Sequence, residues 1–294
     1  MKRFYFLAAL CAIASASLAQ EKNTQDSTKT NKRENDTIRI GSIIIIKKHK
    51  GKTNDSTTTT IADINKTKRN KKSSTNYFIF DIGFANWTDK TSFFTPNSTI
   101  VNRLGVAPIS ADDLKLRIGK SSNLNVWFFM QKVSLVKSNV NLKYGLGVEL
   151  INFSLRSPIS IREGGLLPNG TNSSGPFVYR DSISFSKNKL NLKYLTVPLM
   201  INFASNKTKG NPQVSGSFGV SAGYLIRQRN KQNSSERGKQ KNQGDFNMEK
   251  FKLSYIGELG LGSVRLYGSY TPKSIFENNI DVRPFTIGVR FSNW

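Results

Sequence analysis

From 140 to 150 the chain alternates without a break. Val140, Leu142, Tyr144, Leu146, Val148 and Leu150 are large and apolar, and Asn141, Lys143, Gly145, Gly147 and Glu149 separate them. Side chains along a strand point alternately to its two faces, so this run has one oily face and one small, polar or charged face. Seven further runs share the pattern, at about 77–87, 122–136, 189–203, 213–226, 248–261, 264–271 and 284–291. In the first, Phe78, Phe80, Ile82 and Phe84 oppose Asp81, Gly83 and Ala85. In the second, Leu124, Val126, Phe128 and Met130 are expected outward and Asn123, Asn125 and Gln131 inward, with Trp127 and Phe129 blurring the alternation. In 189–203 the apolar parity changes partway, and Pro198, which cannot donate to a ladder, predicts a bulge or bend.

The connections sort by length. Residues 88–121, 156–188 and 227–247 are long, 137–139, 204–212 and 262–263 are short, and 272–283 is intermediate. Long and short alternate in order, with Gly262-Ser263 as a two-residue hairpin turn. A soluble sandwich has no reason to sort its loops this way. A barrel that crosses an outer membrane does, with short periplasmic turns, long outer loops and an even strand count. The runs also approach the 9–11 residues or so of a tilted membrane strand. The expected fold is therefore all-β: an eight-stranded antiparallel transmembrane β-barrel over 77–294, with apolar side chains facing lipid. Tyr77, Trp87, Tyr224, Tyr267, Tyr270 and Trp294 lie near run ends and are expected to form interfacial girdles.

Charge adds a partner class. The formal net charge is +25, which favours anionic partners. A nucleic-acid domain would group its charge on one face and lack a long series of oily strands, so nucleic acid is not an expected partner. Residues 1–19 read as a secretory signal, with Lys2 and Arg3 before the apolar stretch 4–13 and a small-residue cleavage site ending at Ala16 or Ala19. Cys11 is the one cysteine and falls inside that signal, so no intramolecular disulfide is expected after cleavage.

Residues 20–76 carry 14 basic and 6 acidic groups amid Asn, Thr and Ser, a composition expected to be mostly disordered in the periplasm. One β-prone island, 38–46, is flanked by Lys47, Lys48 and Lys50. It reads as a local hairpin or transient strand, or as a segment that pairs with an envelope protein partner or docks in the barrel mouth. His49, beside it, is the one histidine.

Little catalytic chemistry is visible. Gly219-Val220-Ser221-Ala222-Gly223 matches G-x-S-x-G, but it lies mid-strand and no histidine follows it. No His, Cys or carboxylate cluster has metal-ligand spacing, and neither a metal nor a cofactor is expected. Parity instead places seven charges inside the barrel: Asp81, Lys143, Glu149, Lys193, Glu258, Arg265 and Arg290. Eight strands leave an interior barely wide enough for side chains, so these groups are expected to close the lumen as an ion network. In 227–247, Arg227, Arg229, Lys231, Arg237, Lys239 and Lys241 stand against Glu236 and Asp245, a solvated loop suited to anionic lipopolysaccharide or glycan. Residues 156–188, with Gly164-Gly165 and Asn169-Gly170, read as another mobile loop.

The signal end at 17–20, the strand Leu192-Lys193-Tyr194-Leu195-Thr196-Val197-Pro198-Leu199 and the closing Ile287-Gly288-Val289-Arg290-Phe291 resemble the PorT-like outer-membrane β-barrel proteins of Bacteroidetes. The resemblance implies an integral eight-stranded outer-membrane protein, and the even strand count is expected to place both termini in the periplasm. The expected role is non-enzymatic, structural or binding. The alternatives are an accessory component of a type IX-like secretion complex and, behind it, a lipid-modifying barrel enzyme.

Overall fold

A computed structural model describes residues 36–40, 43–47, 59–63, 73–93, 99–136, 139–205 and 214–292. The signal, Cys11, His49 and Trp294 lie outside the described residues, as does most of the segment expected to be disordered. The chain divides into two units, 1–69 and 70–294. In the first, Asp36–Ile40 and Ile43–Lys47 pair antiparallel, and Ile43–Lys47 also pairs with Thr59–Asp63. The β-prone island is thus the local hairpin, extended by a third strand.

The second unit is a closed ring of eight antiparallel strands: β1 (Ser73–Asp89), β2 (Ser122–Val136), β3 (Val140–Ser154), β4 (Lys187–Ala204), β5 (Val214–Ser234), β6 (Phe251–Leu261), β7 (Val264–Tyr270) and β8 (Val282–Phe291). Neighbours in sequence pair in space, and β8 returns to β1 through the pair Arg290↔Asp81. Closure removes the unpaired edges that an open sheet would expose. The long connections gather at one end of the ring and the short turns at the other.

Alternation decides what faces out. Phe80, Ile82, Phe84, Phe218, Leu253, Tyr255, Leu259, Leu266 and Ile287 are all exposed on the outer face, while Asp81, Asn125, Lys143, Ser217, Ser254 and Arg290 are buried inside. Such an inversion suits a lipid surround and is unfavourable in water. Tyr77, Tyr224 and Tyr270 face outward as expected. Trp87 and Tyr267 do not: they share parity with Asp81 and Arg265 and are buried inside the ring, so they are not girdle residues.

A register shift at Phe128, between Trp127 and Phe129 in the pairing with β3, turns Met130 inward, and Met130 is fully buried against Ile79 and Trp127. The expected outward Met130 and inward Gln131 are therefore exchanged. Pro198 produces no register shift in β4. The pairing of β4 with β3 simply omits Val197 and Pro198, where the missing N–H would fall, and β4 keeps one parity from end to end.

The long connections are folded. Ile159–Arg162 pairs with Phe177–Arg180, which pairs in parallel with Ile100–Val101. Residues 227–243, expected as a solvated loop, extend β5 as far as Ser234 and return along Gly238–Gln243 as an antiparallel hairpin. These pieces join strand ends in one apolar cluster that includes Trp87, Leu114, Phe153, Ile159, Leu190, Leu192, Phe246 and Phe276. The G-x-S-x-G residues lie inside β5 with Ser221 buried, and a Cβ on Gly219 would come within 2.1 Å of the Leu199 carbonyl oxygen. These glycines let β4 and β5 approach closely, and no nucleophile elbow forms.

Candidate functional site: a closed lumen beneath a folded cap

Asp81 projects inward from β1 and is fully buried. Arg290, its partner across the β8–β1 pair, donates to it from Nε and Nη2, each at 2.6 Å. Trp127 Nε1 donates to the same carboxylate at 2.7 Å and Asn125 Nδ2 at 3.0 Å. Arg290 also pairs with Glu258 from β6, and Lys143 Nζ donates to Glu258 at 2.5 Å. Four strands therefore meet through Asp81, Arg290, Glu258 and Lys143. Charge-assisted bonds of this kind offset the desolvation that would otherwise exclude buried charges.

A second group lies toward the long connections. Lys252 pairs with Glu149, and its Nζ sits 4.6 Å from the centroid of the Tyr194 ring. Tyr267 donates to Asn123, whose amide donates to Asn125 at 3.1 Å. Toward the short turns, Arg265 donates to Ser215 and Ser292 at 2.8 Å each. Asn141 and Asn202, bonded to each other at 3.2 Å, fill the same level. The cavity between Trp127, Glu149, Thr196, Glu258 and Arg290 has a volume of about 30 Å³, room for a water molecule or two.

Of the seven charges assigned inward by parity, Asp81, Lys143, Glu149, Glu258, Arg265 and Arg290 are buried inside the ring, and Lys193 is not. The reason is an inversion of polarity along β4. In the lower half the outward positions are Leu195, Val197, Leu199, Ile201 and Phe203. Above them the same outward face carries Lys193, Lys189 and Lys187, while Leu190 and Leu192 point inward into the apolar cluster. Alternation with Leu192 predicts Lys193 inward, but Leu192 is itself inward. Lys252, on the polar face of β6, takes the role expected of Lys193; its direct alternation with Phe251 and Leu253 was the signal for it.

β3 inverts at the same level. Leu150 is outward, but Ile151 and Phe153 are inward, and Phe153 packs against Trp87 with the rings tilted 43° and their centroids 4.6 Å apart. In β5 the change is accompanied by a register shift at Ile226, since Tyr194 opposes Leu225 while Lys193 opposes Arg227. Below this line the ring is oily outside and polar inside. Above it the ring is built like a water-soluble protein, with a greasy interior.

The basic residues of 227–247 separate into two roles. Arg237 lies in the hairpin turn and grips Asp181 through Nη1 at 2.7 Å and Nη2 at 3.2 Å. The Asp181 side chain is wholly buried and also accepts from Ser160. Burial pulls its pKa up, but the Arg237 guanidinium and the Ser160 hydroxyl outweigh that, and the carboxyl sits below the usual range. Asp113 behaves alike: burial is outweighed by the Ser110 backbone N–H and by Arg180, which pairs with it. Both pairs pin the connections together. Arg237 is thus a clamp within the cap, whereas Arg227, Arg229, Lys231, Lys239 and Lys241 line the outward face of the hairpin.

Comparison with known proteins gives one family and no curated relative. None of the curated proteins compared matches the chain. The model of an outer membrane protein beta-barrel domain matches residues 98–283, more than half of the sequence, in agreement with the closed ring, its apolar outer face and its polar interior. This chain belongs to the outer membrane protein beta-barrel domain family and is an integral outer-membrane barrel.

Proposed function

We propose that this protein is a closed, non-enzymatic barrel that anchors a folded cap at the cell surface and acts by binding through it. The observation that carries the reading is the filled interior: Asp81, Arg290, Glu258 and Lys143 tie four strands across the lumen, and the apolar cluster roofs it. A conduit would need a continuous wet path, and an eight-stranded ring has width only for side chains. In this reading the long connections face outward, the short turns and both termini face the periplasm, and residues 1–19 are removed as a signal. The resemblance of 192–199 and 287–291 to PorT-like barrels supports placing it among the envelope proteins of Bacteroidetes.

Planar bilayers containing the purified protein test the closed lumen. Membranes should stay at baseline conductance, with no steady single-channel steps. Large, steady steps in proportion to the protein added would overturn the reading.

A further inference from the structure

The outward face of the barrel just above the inversion line carries an unusual array of charge. Lys189 of β4, Lys231 of β5 and Lys241 of the hairpin strand stand directly opposite one another across three neighbouring strands. Like charges in directly opposed positions are destabilising, and such pairs normally alternate in sign. One register step below, Arg229 lies between Asn191 and Gln243, and below that Lys193 opposes Arg227. At the upper end Asn233 lies between Lys187 and Lys239. No carboxylate occupies any of these positions. The polar partners on this face are neutral: Arg229 Nε donates to Gln243 at 2.9 Å, Arg227 Nη2 to the same oxygen at 3.2 Å, and Lys189 Nζ to the Lys120 carbonyl at 3.0 Å. Arg229, Lys187, Lys241 and Lys193 all bear on Lys231 as like charges.

Position identifies the counter-charge. On β4 the residue next below Lys193 on this face is Leu195, paired with Tyr224 on β5 and Val148 on β3, and from there downward the face is apolar. The cations therefore begin within about 7 Å of the last lipid-facing side chain and run about 20 Å further along the strands. The lowest of them, Lys193 and Arg227, stand at the height of the headgroup layer, about 5–8 Å thick beside a hydrocarbon core of about 30 Å, and the lysine rows rise above it. Basic residues on the tip of a loop would serve a distant polysaccharide. These lie sideways, flush with the oily wall, where a lipid that seats its chains on Leu195, Tyr224 and Ile226 presents its headgroup to them.

We infer that this three-stranded basic face is a lateral binding site for the phosphate groups of lipopolysaccharide in the outer leaflet. Guanidinium pairs at Arg227 and Arg229 suit bidentate phosphate contacts, and the lysine row supplies diffuse positive charge above them. The site relieves the repulsion built into Lys189, Lys231 and Lys241. It rests on the proposed orientation, with the long connections at the cell surface.

Full-length protein in detergent, incubated with bisphosphorylated lipid A, tests the site by native mass spectrometry and by salt titration. The wild type should hold lipid A in preference to its dephosphorylated form and to phosphatidylglycerol, and salt should weaken the complex. Replacing Lys189, Lys193, Arg229, Lys231 and Lys241 with Gln should lower affinity at least about tenfold while the protein keeps its heat-modifiable band. Replacing Lys90, Arg103, Lys115, Lys273 and Arg283, cations of the same end but off this face, should change it less than about twofold. Equal binding of dephosphorylated lipid A, equal loss in both variants, or equal retention of phosphatidylglycerol overturns the inference. An epitope inserted at 235–236 and probed with antibody on intact cells tests the orientation separately. Surface labelling without lipid A binding would sink the site alone, and absence of labelling would sink the orientation beneath it.

Discussion

Removing the carboxylate of Asp81 should be among the most damaging single changes in the ring. Asp81 accepts two bonds from Arg290 and one each from Trp127 and Asn125, and none of these groups reaches bulk water. Breaking a buried ion pair by deleting one partner costs about 3–5 kcal/mol. Each neutral donor left bare adds about 1 kcal/mol or more, while Arg290 keeps Glu258 and recovers part of the loss. Asp81→Ala should therefore destabilise the barrel by about 4–6 kcal/mol. Asp81→Asn keeps an acceptor oxygen for Trp127 and should cost about half as much. Adding Arg290→Met to Asp81→Ala removes the stranded charge and should restore about 2 kcal/mol, leaving Glu258 to Lys143. Urea unfolding in lipid vesicles, followed by tryptophan fluorescence, reads these differences, and Trp127 sits in the network itself. If Asp81→Ala unfolds within about 1 kcal/mol of wild type, or if Arg290→Met makes it worse, the interior is wet and screened rather than sealed.

The cap and the strand contacts give two more tests. Asp181 and Asp113 are held below the ordinary carboxylate range, so the stability they lend is complete above that range and lost as pH falls through their lowered values. The protection of amides in Gly238–Gln243, taken relative to intrinsic exchange at each pH, should therefore fall below about pH 4. Arg237→Gln should bring that loosening to neutral pH, and protection indifferent to both changes would contradict the clamp. A Cβ at position 288 would meet the Ile82 carbonyl oxygen at 2.4 Å and the Gly83 Cα at 2.5 Å. Gly288→Ala should thus cost about 3 kcal/mol and shrink the folded fraction on unheated gels, whereas an unchanged fold would show that β1 and β8 can separate without penalty.

Much of the membrane-spanning architecture was legible because period-two alternation is both local and strict. β3 runs from Val140 to Ser154 as its pattern indicates, and Asp81, Lys143, Glu149, Glu258, Arg265 and Arg290 follow from parity alone. What parity could not supply was the level at which the solvent changes. Leu190 and Leu192 look like lipid-facing residues by composition, but at their height the outside is polar and the cap supplies the grease. Alternation misplaces Lys193 for that reason, and it gives no sign of the extension of β5 beyond Ile226, because Arg227-Gln228-Arg229-Asn230-Lys231 carries no apolar face at all. The bulge at Phe128 has no local signature either. Three consecutive bulky residues, Trp127-Phe128-Phe129, leave the alternation undefined, and the choice is made by Met130 fitting against Ile79. The cap depends on contacts between distant connections, such as Arg180 with Asp113 and Arg237 with Asp181, which no local periodicity encodes.

The decisive measurement is which side chains touch lipid. Cys11 is the one cysteine in the sequence, so once it is replaced single cysteines can be placed along β5 without background. Positions 214, 218, 220, 222 and 224 should be labelled and quenched by lipid-borne bromine or nitroxide, and cysteines replacing Ser215, Ser217 and Ser221 should be shielded from it. A two-residue rhythm of quenching that stops above Ile226 is the predicted result. Quenching at the serine positions, or no rhythm at all, would mean that the oily face does not meet the membrane.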